Sequence, residues 1–340
     1  MLTLVTGNAG FIGSHVAKRL LERGDSVVGV DAVDDYYDVA LKEARLARLI
    51  DAARASGASY TFVRGNLARP ETIAEAFDGR RFDRVIHLAA QPGIGFSVAH
   101  PERTVESNIV GFANVLEACR KAAVPHLTYA STSSVYGANR TLPYSEHAPA
   151  DHPIQLYAAT KRANELMAHS YGHLYGLPTT GLRFFTVYGP WGRPDMALFR
   201  FAERIMAGEP IDLYDEGRHT RDFTYIDDLV DGIVAASDEI AQPNAQWDGR
   251  TPEPATSGGP WRIFNLGNDN PVRLTDYVDA LENALGRKAV RRLLPRRPED
   301  MEDTWADLGA AQDALGYRPK TPMREGVARF ATWYKDWTSR

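Results

Sequence analysis

The chain has 340 residues and a formal net charge of −5 at neutral pH. Apolar residues make up 44% of it and charged residues 24%, which is ordinary for a globular protein with a sizeable core. The acidic balance argues against a nucleic-acid-binding protein, because phosphate binding would require a basic surface. No apolar run approaches the roughly 20 residues that span a membrane.

The single cysteine, Cys119, lies in an apolar stretch and cannot form an intramolecular disulfide, so we expect it to pack in the core. A predicted strand that starts at Leu2 leaves no room for a signal peptide. The pair His169 and His173 is better explained by helix-surface polarity than by zinc binding. We therefore expect a cytoplasmic protein without a bound metal.

The first predicted strand, 2–5, runs into the motif Gly7-x-x-Gly10-x-x-Gly13 and then into a helical pattern. Such glycines let the backbone turn tightly and approach a pyrophosphate at the positive end of a helix dipole. The second predicted strand, 27–30, ends in Asp31, near the position of a carboxylate that binds an adenosine ribose. Because that charge would repel a 2′-phosphate, the pattern favours NAD over NADP.

Predicted strands and helices alternate through the first half of the chain. Further strands are predicted at 60–63, 84–87, 127–130 and 179–183, with helices at 72–77, 104–122 and 157–174. This alternation indicates an α/β fold with a Rossmann-type, doubly wound parallel sheet. After about Tyr188 the alternation fades. We therefore expect an NAD-binding Rossmann domain over 1–182 and a smaller, mainly substrate-binding C-terminal lobe over 183–340, with interleaved segments.

Tyr157 and Lys161 lie four residues apart in a predicted helix that begins at Pro153, so they share one helix face. A tyrosine is a poor base at neutral pH, but a nearby cation favours the phenolate. The preceding predicted strand ends in a hydroxyl-rich stretch, from which Thr132 can donate a hydrogen bond to an oxygen beside Tyr157. We predict that these side chains form a catalytic group.

Together with 34–38, 87–91, 108–111, 182–196 and 221–228, these motifs carry a resemblance that extends over nearly the whole chain. The sequence resembles the extended short-chain dehydrogenase/reductases that act on nucleotide sugars. The resemblance implies that Tyr157 is the base and acid at the sugar 4-hydroxyl. It implies that Lys161 holds the nicotinamide ribose and lowers the pKa of that tyrosine, and that Thr132 hydrogen-bonds the reacting oxygen.

The glycine motif and the resemblance together predict two sets of ligand contacts. The predicted NAD contacts are Gly7, Gly10, Phe11, Ile12, Gly13, Asp31, Asn66, Leu67, Leu88, Ala89, Ala90, Gln91, Asn108, Tyr157, Lys161 and Phe184. The predicted contacts to a UDP-sugar are Thr132, Ser133, Ser134, Tyr157, Thr186, Arg193, Arg221, Arg297 and Asp300.

The implied reaction is inversion at C4 of UDP-glucuronate, giving UDP-galacturonate through a transient 4-keto sugar. Dehydration is disfavoured because Ser133 and Ser134 stand where it needs an acid pair. Decarboxylation is disfavoured by the resemblance alone. C4 inversion of UDP-glucose and UDP-galactose stays open, because Gly95 stands where relatives commonly have arginine, although Thr186 favours the glucuronate. The resemblance also implies a homodimer, formed by helices that start near Thr104 and Tyr157.

Overall fold

The computed structural model describes residues 1–296, 301 and 303–339. Strands and helices alternate through the N-terminal half. They are β1 (Leu2–Thr6), α1 (Phe11–Glu22), β2 (Ser26–Asp31), α2 (Val39–Ser56), β3 (Tyr60–Arg64), α3 (Pro70–Phe77), β4 (Arg84–His87), α4 (Ile94–Ala99), α5 (Pro101–Val105), α6 (Gly111–Lys121), β5 (Leu127–Thr132), α7 (Leu156–Tyr175) and β6 (Thr179–Phe184). A π-helical turn, Glu106–Val110, joins α5 to α6.

The C-terminal half is less regular in its order of elements. They are β7 (Thr186–Tyr188), α8 (Ala197–Ala207), β8 (Pro210–Tyr214), β9 (Thr220–Tyr225), α9 (Ile226–Asp238), β10 (Trp261–Leu266), β11 (Pro271–Arg273), α10 (Leu274–Leu285), β12 (Val290–Leu294), α11 (Gly309–Leu315) and α12 (Met323–Thr338). Every helix in the described parts of the chain is too short or too polar to cross a membrane.

The described residues form a seven-stranded parallel sheet in the order β10-β6-β5-β4-β1-β2-β3. One hydrophobic core cluster packs α1 and α2 against the sheet, and another packs α6 and α7 against it, so helices cover both faces. The predicted Rossmann-type, doubly wound α/β fold is therefore confirmed. The strand order reverses between β1 and β4, and ligands bind beyond the carboxyl ends of strands at such a point.

The C-terminal half contributes to both parts of the molecule. Its strand β10 pairs with β6 at the edge of the main sheet, whereas β7, β9 and β11 form a separate small sheet. One hydrophobic cluster runs from Val5 in β1 to Phe223 in β9 and Phe330 in α12. The two lobes therefore share a core, and a cleft lies between them at the carboxyl edge of the large sheet.

The predicted start of the helix that carries Tyr157 is wrong. The helix α7 begins at Leu156, with Gln155 as its N-cap residue. The residue before a proline is disfavoured in helical conformation, and the carbonyl of His152 accepts a hydrogen bond from the backbone of Ala138 at 3.0 Å. That hydrogen bond ties the segment around Pro153 to the chain after β5, and the helix begins only after this segment.

Candidate active site

A cleft between the lobes collects most of the residues predicted from the sequence. Those that line it are Gly7, Gly10, Phe11, Ile12, Gly13, Asp31, Asn66, Leu67, Leu88, Ala89, Ala90, Gln91, Thr132, Tyr157, Lys161, Phe184 and Arg193. They come from the ends of the central strands, from the turns that follow them and from the first turns of α1 and α7. The topology therefore brings together segments that are far apart in the sequence.

The glycine loop between β1 and α1 is close-packed backbone. A Cβ atom at Gly13 would lie 2.1 Å from the carbonyl oxygen of Gly7, and one at Gly7, where φ is +73°, would lie 2.7 Å from the backbone nitrogen of Ala89. No larger residue fits at either position without moving backbone. The loop thus leaves a narrow cradle at the positive end of α1, and this cradle fits the pyrophosphate of a dinucleotide.

Asp31 lies at the end of β2, beside that loop. Its carboxylate accepts hydrogen bonds from the backbone nitrogens of Ala9 at 3.0 Å and Val33 at 2.8 Å. Burial raises the pKa of Asp31, although these bonds and the ammonium of Lys42 oppose the rise. A carboxylate that lines the cleft here can accept hydrogen bonds from ribose hydroxyls and disfavours a 2′-phosphate. The residues of this end of the cleft therefore fit NAD.

Tyr157 and Lys161 lie one turn apart on α7 and both line the cleft, facing Thr132 at the end of β5. Burial raises the pKa of the Tyr157 phenol, while the guanidinium of Arg193 and a hydrogen bond with Thr132 act in the opposite direction. The sequence predicts Lys161 as the cation that lowers this pKa, but Arg193 is the protein cation with the largest effect in the structure. Arg193 comes from the loop after β7.

Lys161 lies one helical turn from Glu165, which belongs to a buried network of charged side chains outside the cleft. Burial lowers the pKa of Lys161 to about 8, and Glu165, one turn further along α7, opposes this shift. The carboxylate of Glu165 accepts hydrogen bonds from Ser131 at 2.6 Å and from Arg162 at 2.8 Å. Arg183 donates two more, each at 2.9 Å. Glu165 is therefore a buried negative charge one turn from Lys161, held by three neighbouring side chains.

Asn108 is buried and acts on the cleft through its neighbours. Its side chain accepts a hydrogen bond from the backbone nitrogen of Gln91 at 2.7 Å and donates to Thr160 at 3.0 Å. It lies in the π-helical turn, an irregularity that is frequent at functional sites. The structure thus places Asn108 behind the loop that lines the cleft rather than in its wall.

Arg193 lines the cleft and forms a hydrogen-bonded ion pair with Asp195. Its guanidinium donates to both carboxylate oxygens, at 3.0 and 2.6 Å, and Tyr36 of the opposite lobe donates to the same carboxylate at 3.1 Å. Burial tends to raise the pKa of Asp195, but Arg193 holds it below its usual range. The sequence analysis missed Asp195 and Tyr36 as functional residues, because pairing across 159 residues leaves no local signal.

The other predicted substrate residues lie in different places. Thr186 lines a small pocket beside the cleft that it shares with Arg193. Ser133 is buried and Ser134 is half-buried in the turn after β5, and neither lines the cleft as the described residues define it. Arg221 donates to the carbonyl oxygen of Met301 at 2.7 Å, away from that cleft. The predicted residues Arg297 and Asp300 lie outside the described residues.

The fold and the site together define a nucleotide-binding enzyme of the short-chain dehydrogenase/reductase type. The chain belongs to the NAD-dependent epimerase/dehydratase family, whose profile matches residues 3–247.

Among its relatives is the probable UDP-glucuronate 4-epimerase of Rhizobium meliloti, which is 47% identical over 98% of this chain and 97% of that protein. The crystal structure of UDP-glucuronic acid 4-epimerase from Bacillus cereus, in complex with UDP-glucuronic acid and NAD, has a TM-score of 0.85 and 31% identity, covering 99% of this chain and 100% of the other. The UDP-glucose 4-epimerase of Thermotoga maritima with UDP-glucose has a TM-score of 0.83 and 28% identity, covering 99% and 100%.

Proposed function

We propose that this protein is an NAD-dependent 4-epimerase that interconverts UDP-glucuronate and UDP-galacturonate. The observation that carries the proposal is the meeting of Thr132, Tyr157 and Lys161 in a cleft whose other end fits a dinucleotide. The relatives named UDP-glucuronate 4-epimerase, which match nearly the full length of the chain, support the choice of substrate.

In the proposed reaction the phenolate of Tyr157 removes the proton of the sugar 4-hydroxyl, and the hydroxyl of Thr132 hydrogen-bonds the same oxygen. NAD, held by the glycine loop, Asp31 and Lys161, would supply the acceptor for the C4 hydride and the donor that returns it to the opposite face of the sugar. Burial raises the pKa of Tyr157, so the protein alone favours the phenol. The charge of Arg193 and that of the oxidised nicotinamide favour the phenolate, and the phenol then returns the proton.

Arg193 is the proposed ligand for the anionic part of the substrate, because a guanidinium binds phosphate or carboxylate oxygens in pairs. In the structure Asp195 occupies that fork. A substrate anion must therefore share Arg193 with Asp195 or displace it. Arg221, with Arg297 and Asp300, stays a predicted contact to the UDP group.

The glucuronate poses a further requirement, because its 4-keto form is a β-keto acid that can lose CO₂. We propose that Thr132, in the cleft wall, and Thr186, in the pocket beside it, hold the carboxylate so that the breaking bond does not align with the carbonyl π system, while Ser133 and Ser134 form the turn that carries Thr132. The backbone nitrogen of Ser134 already donates to Thr132 at 3.2 Å, which orients this turn.

The double variant Ser133→Ala, Thr186→Ala tests this grip. We expect weaker binding of UDP-glucuronate and a larger share of pentose product, measured by titration and by NMR of the products. Ser145→Ala, at an exposed turn elsewhere, is the control. An unchanged affinity together with an unchanged product ratio would rule the grip out.

The NMR spectrum of the product formed from UDP-glucuronate, and separately from UDP-glucose, tests the proposed function. We expect UDP-galacturonate from the first and slow or no conversion of the second. Rapid conversion of UDP-glucose alone would favour the neutral-sugar 4-epimerase. A pentose product would indicate decarboxylation.

We also propose that the protein is a cytoplasmic homodimer. Two neighbouring helices, α6 with its preceding π turn and α7, expose apolar side chains: Val110 is 43% exposed, Leu166 56% and Leu174 64%. Val115, on the opposite side of α6, lies in the core. Packing α7 against its copy would cover the exposed set. Cys119 is buried and unpaired, as suits a reducing compartment.

A further inference from the structure

Arg45 on α2 is a fully buried arginine that joins three separate segments. Its Nη1 donates to the carbonyl oxygen of Ala9 at 3.0 Å and to the hydroxyl of Tyr37 at 2.5 Å. Its Nη2 donates to the carbonyl oxygens of Trp191 at 2.7 Å and Gly192 at 3.1 Å. One guanidinium thus bonds both the glycine loop and the loop that carries Arg193.

No carboxylate of the described residues accepts a hydrogen bond from Arg45, and Asp31 acts on its charge only through space. Every hydrogen-bond acceptor that the described part of the chain offers this side chain is neutral: backbone carbonyls and a phenol. Burial lowers the pKa of Arg45 and the nearby Arg193 acts in the same direction, while Tyr37 and Asp31 oppose the shift. A buried charge whose hydrogen-bond partners are all neutral is costly to maintain. What this guanidinium supplies in return is a planar fork of donors that satisfies carbonyl oxygens of two separate loops.

The loop that Arg45 holds is strained at the point of contact. Trp191 has φ of +62°, a left-handed conformation that a bulky residue adopts only when its surroundings impose it. Its carbonyl is fixed by Arg45, and its ring lies against the guanidinium of Arg48 at 4.4 Å. Arg193 follows two residues later. The conformation of this turn decides where the Arg193 side chain enters the cleft.

The Arg45 side chain also contacts the end of the cleft that fits the dinucleotide. Ala9 donates its backbone N–H to Asp31, the proposed ribose ligand, and its carbonyl oxygen accepts a hydrogen bond from Arg45. The glycine loop and the Trp191 turn are therefore bonded to a single rigid group. We propose that Arg45 is a positioning residue that holds Arg193 in register with the cofactor loop, so that the substrate's anionic group and the cofactor bind at a fixed separation. This inference rests on the proposed function, since it assumes that Arg193 binds the UDP-sugar.

A double-mutant cycle between Arg45 and Arg193 tests it, in NAD-bound protein that also carries Tyr157→Phe so that substrate binds without turnover. The variants are Arg45→Met, which keeps the length of the side chain, Arg193→Met, and both together. UDP-glucuronate is titrated into each by calorimetry. We expect Arg45→Met to weaken binding about tenfold when Arg193 is present and less than about twofold when Arg193 is replaced.

Two further variants separate positioning from charge and from stability. Arg45→Lys keeps the charge without the planar fork, so we expect an intermediate loss of affinity, and it replaces Arg45→Met in the cycle if that variant does not fold. Arg54→Met removes a charge from the exposed face of the same helix, and we expect no change.

Equal losses in both Arg193 backgrounds, or no loss in either, would overturn the positioning role while leaving the proposed function intact. If the unsubstituted Arg45 and Arg193 holoprotein bound no UDP-glucuronate, the proposed substrate and the positioning role would both be wrong.

Discussion

The two ends of the cleft differ in which parts of the protein line them. The cofactor end is backbone: the glycine loop, the start of α1 and one carboxylate, Asp31, all within the first two strands. The substrate end consists of side chains that reach across the lobes, and its main cation, Arg193, is already paired with Asp195. A dinucleotide therefore meets mainly backbone donors, whereas a substrate anion has to compete with the carboxylate of Asp195 for Arg193. Affinity at the two ends should respond differently to substitution.

Tyr157 lies where the two ends meet, so its removal has the largest expected effect. We expect Tyr157→Phe to lower kcat about a thousandfold, because the proton of the 4-hydroxyl then has no acceptor. NAD content, measured by absorbance after denaturation, should not change. Tyr171→Phe, about four turns further along α7, is the control and should keep full activity. Retained turnover in Tyr157→Phe would mean that another group is the base.

Glu165 lines neither end of the cleft that the described residues form, but its negative charge acts on Lys161. Replacing it by glutamine leaves Arg183 with its buried charge unbalanced, and such a loss costs about 3 kcal/mol of folding free energy. Chemical denaturation measures this cost. Glu117→Gln, which removes a surface partner of Arg120, is the matched control and should change stability little.

The pH dependence of Glu165→Gln separates an electrostatic role from a purely structural one. The pKa of Lys161 is lowered by burial to about 8, and Glu165 opposes that shift. If turnover requires the ammonium, activity falls as pH rises through about 8. Without Glu165 the pKa drops further, so the fall should begin at lower pH. Activity reduced by one factor at every pH would show that Glu165 only supports the fold.

Gly13→Ala tests the backbone end. The added methyl group would lie 2.1 Å from the carbonyl oxygen of Gly7, so the loop must shift, at a cost of about 2 kcal/mol. We expect reduced NAD content and a lower unfolding temperature. Gly95→Ala is the control, because its methyl group meets open space. Full NAD content in Gly13→Ala would show that the close approach is not needed for binding.

The different construction of the two ends also explains what the sequence could predict. The glycine loop, Asp31 and the spacing of Tyr157 and Lys161 are local patterns whose geometry follows from one strand, one turn or one helix. The pairing of Tyr36 with Asp195 depends on how two lobes close, and no periodicity encodes it. The residues of that pair lie within motifs that the resemblance covers, yet their contact follows only from the tertiary structure.

Tyr36→Phe has the smallest expected effect. It tests whether hydrogen bonds within the protein hold the side chains of the substrate end in place before the substrate binds. The change removes the hydroxyl that donates to Asp195 at 3.1 Å and keeps the ring that packs on Phe96 at 5.1 Å. A half-exposed hydrogen bond to a carboxylate is worth about 1 kcal/mol, so KM for UDP-glucuronate should rise about fivefold with kcat unchanged. Tyr175→Phe, at an exposed position, should alter neither constant. A lower KM would show that the hydrogen bond from Tyr36 keeps Asp195 on Arg193 and so competes with substrate binding. The ion pair between Arg193 and Asp195 would then hold the substrate end closed until the sugar nucleotide enters.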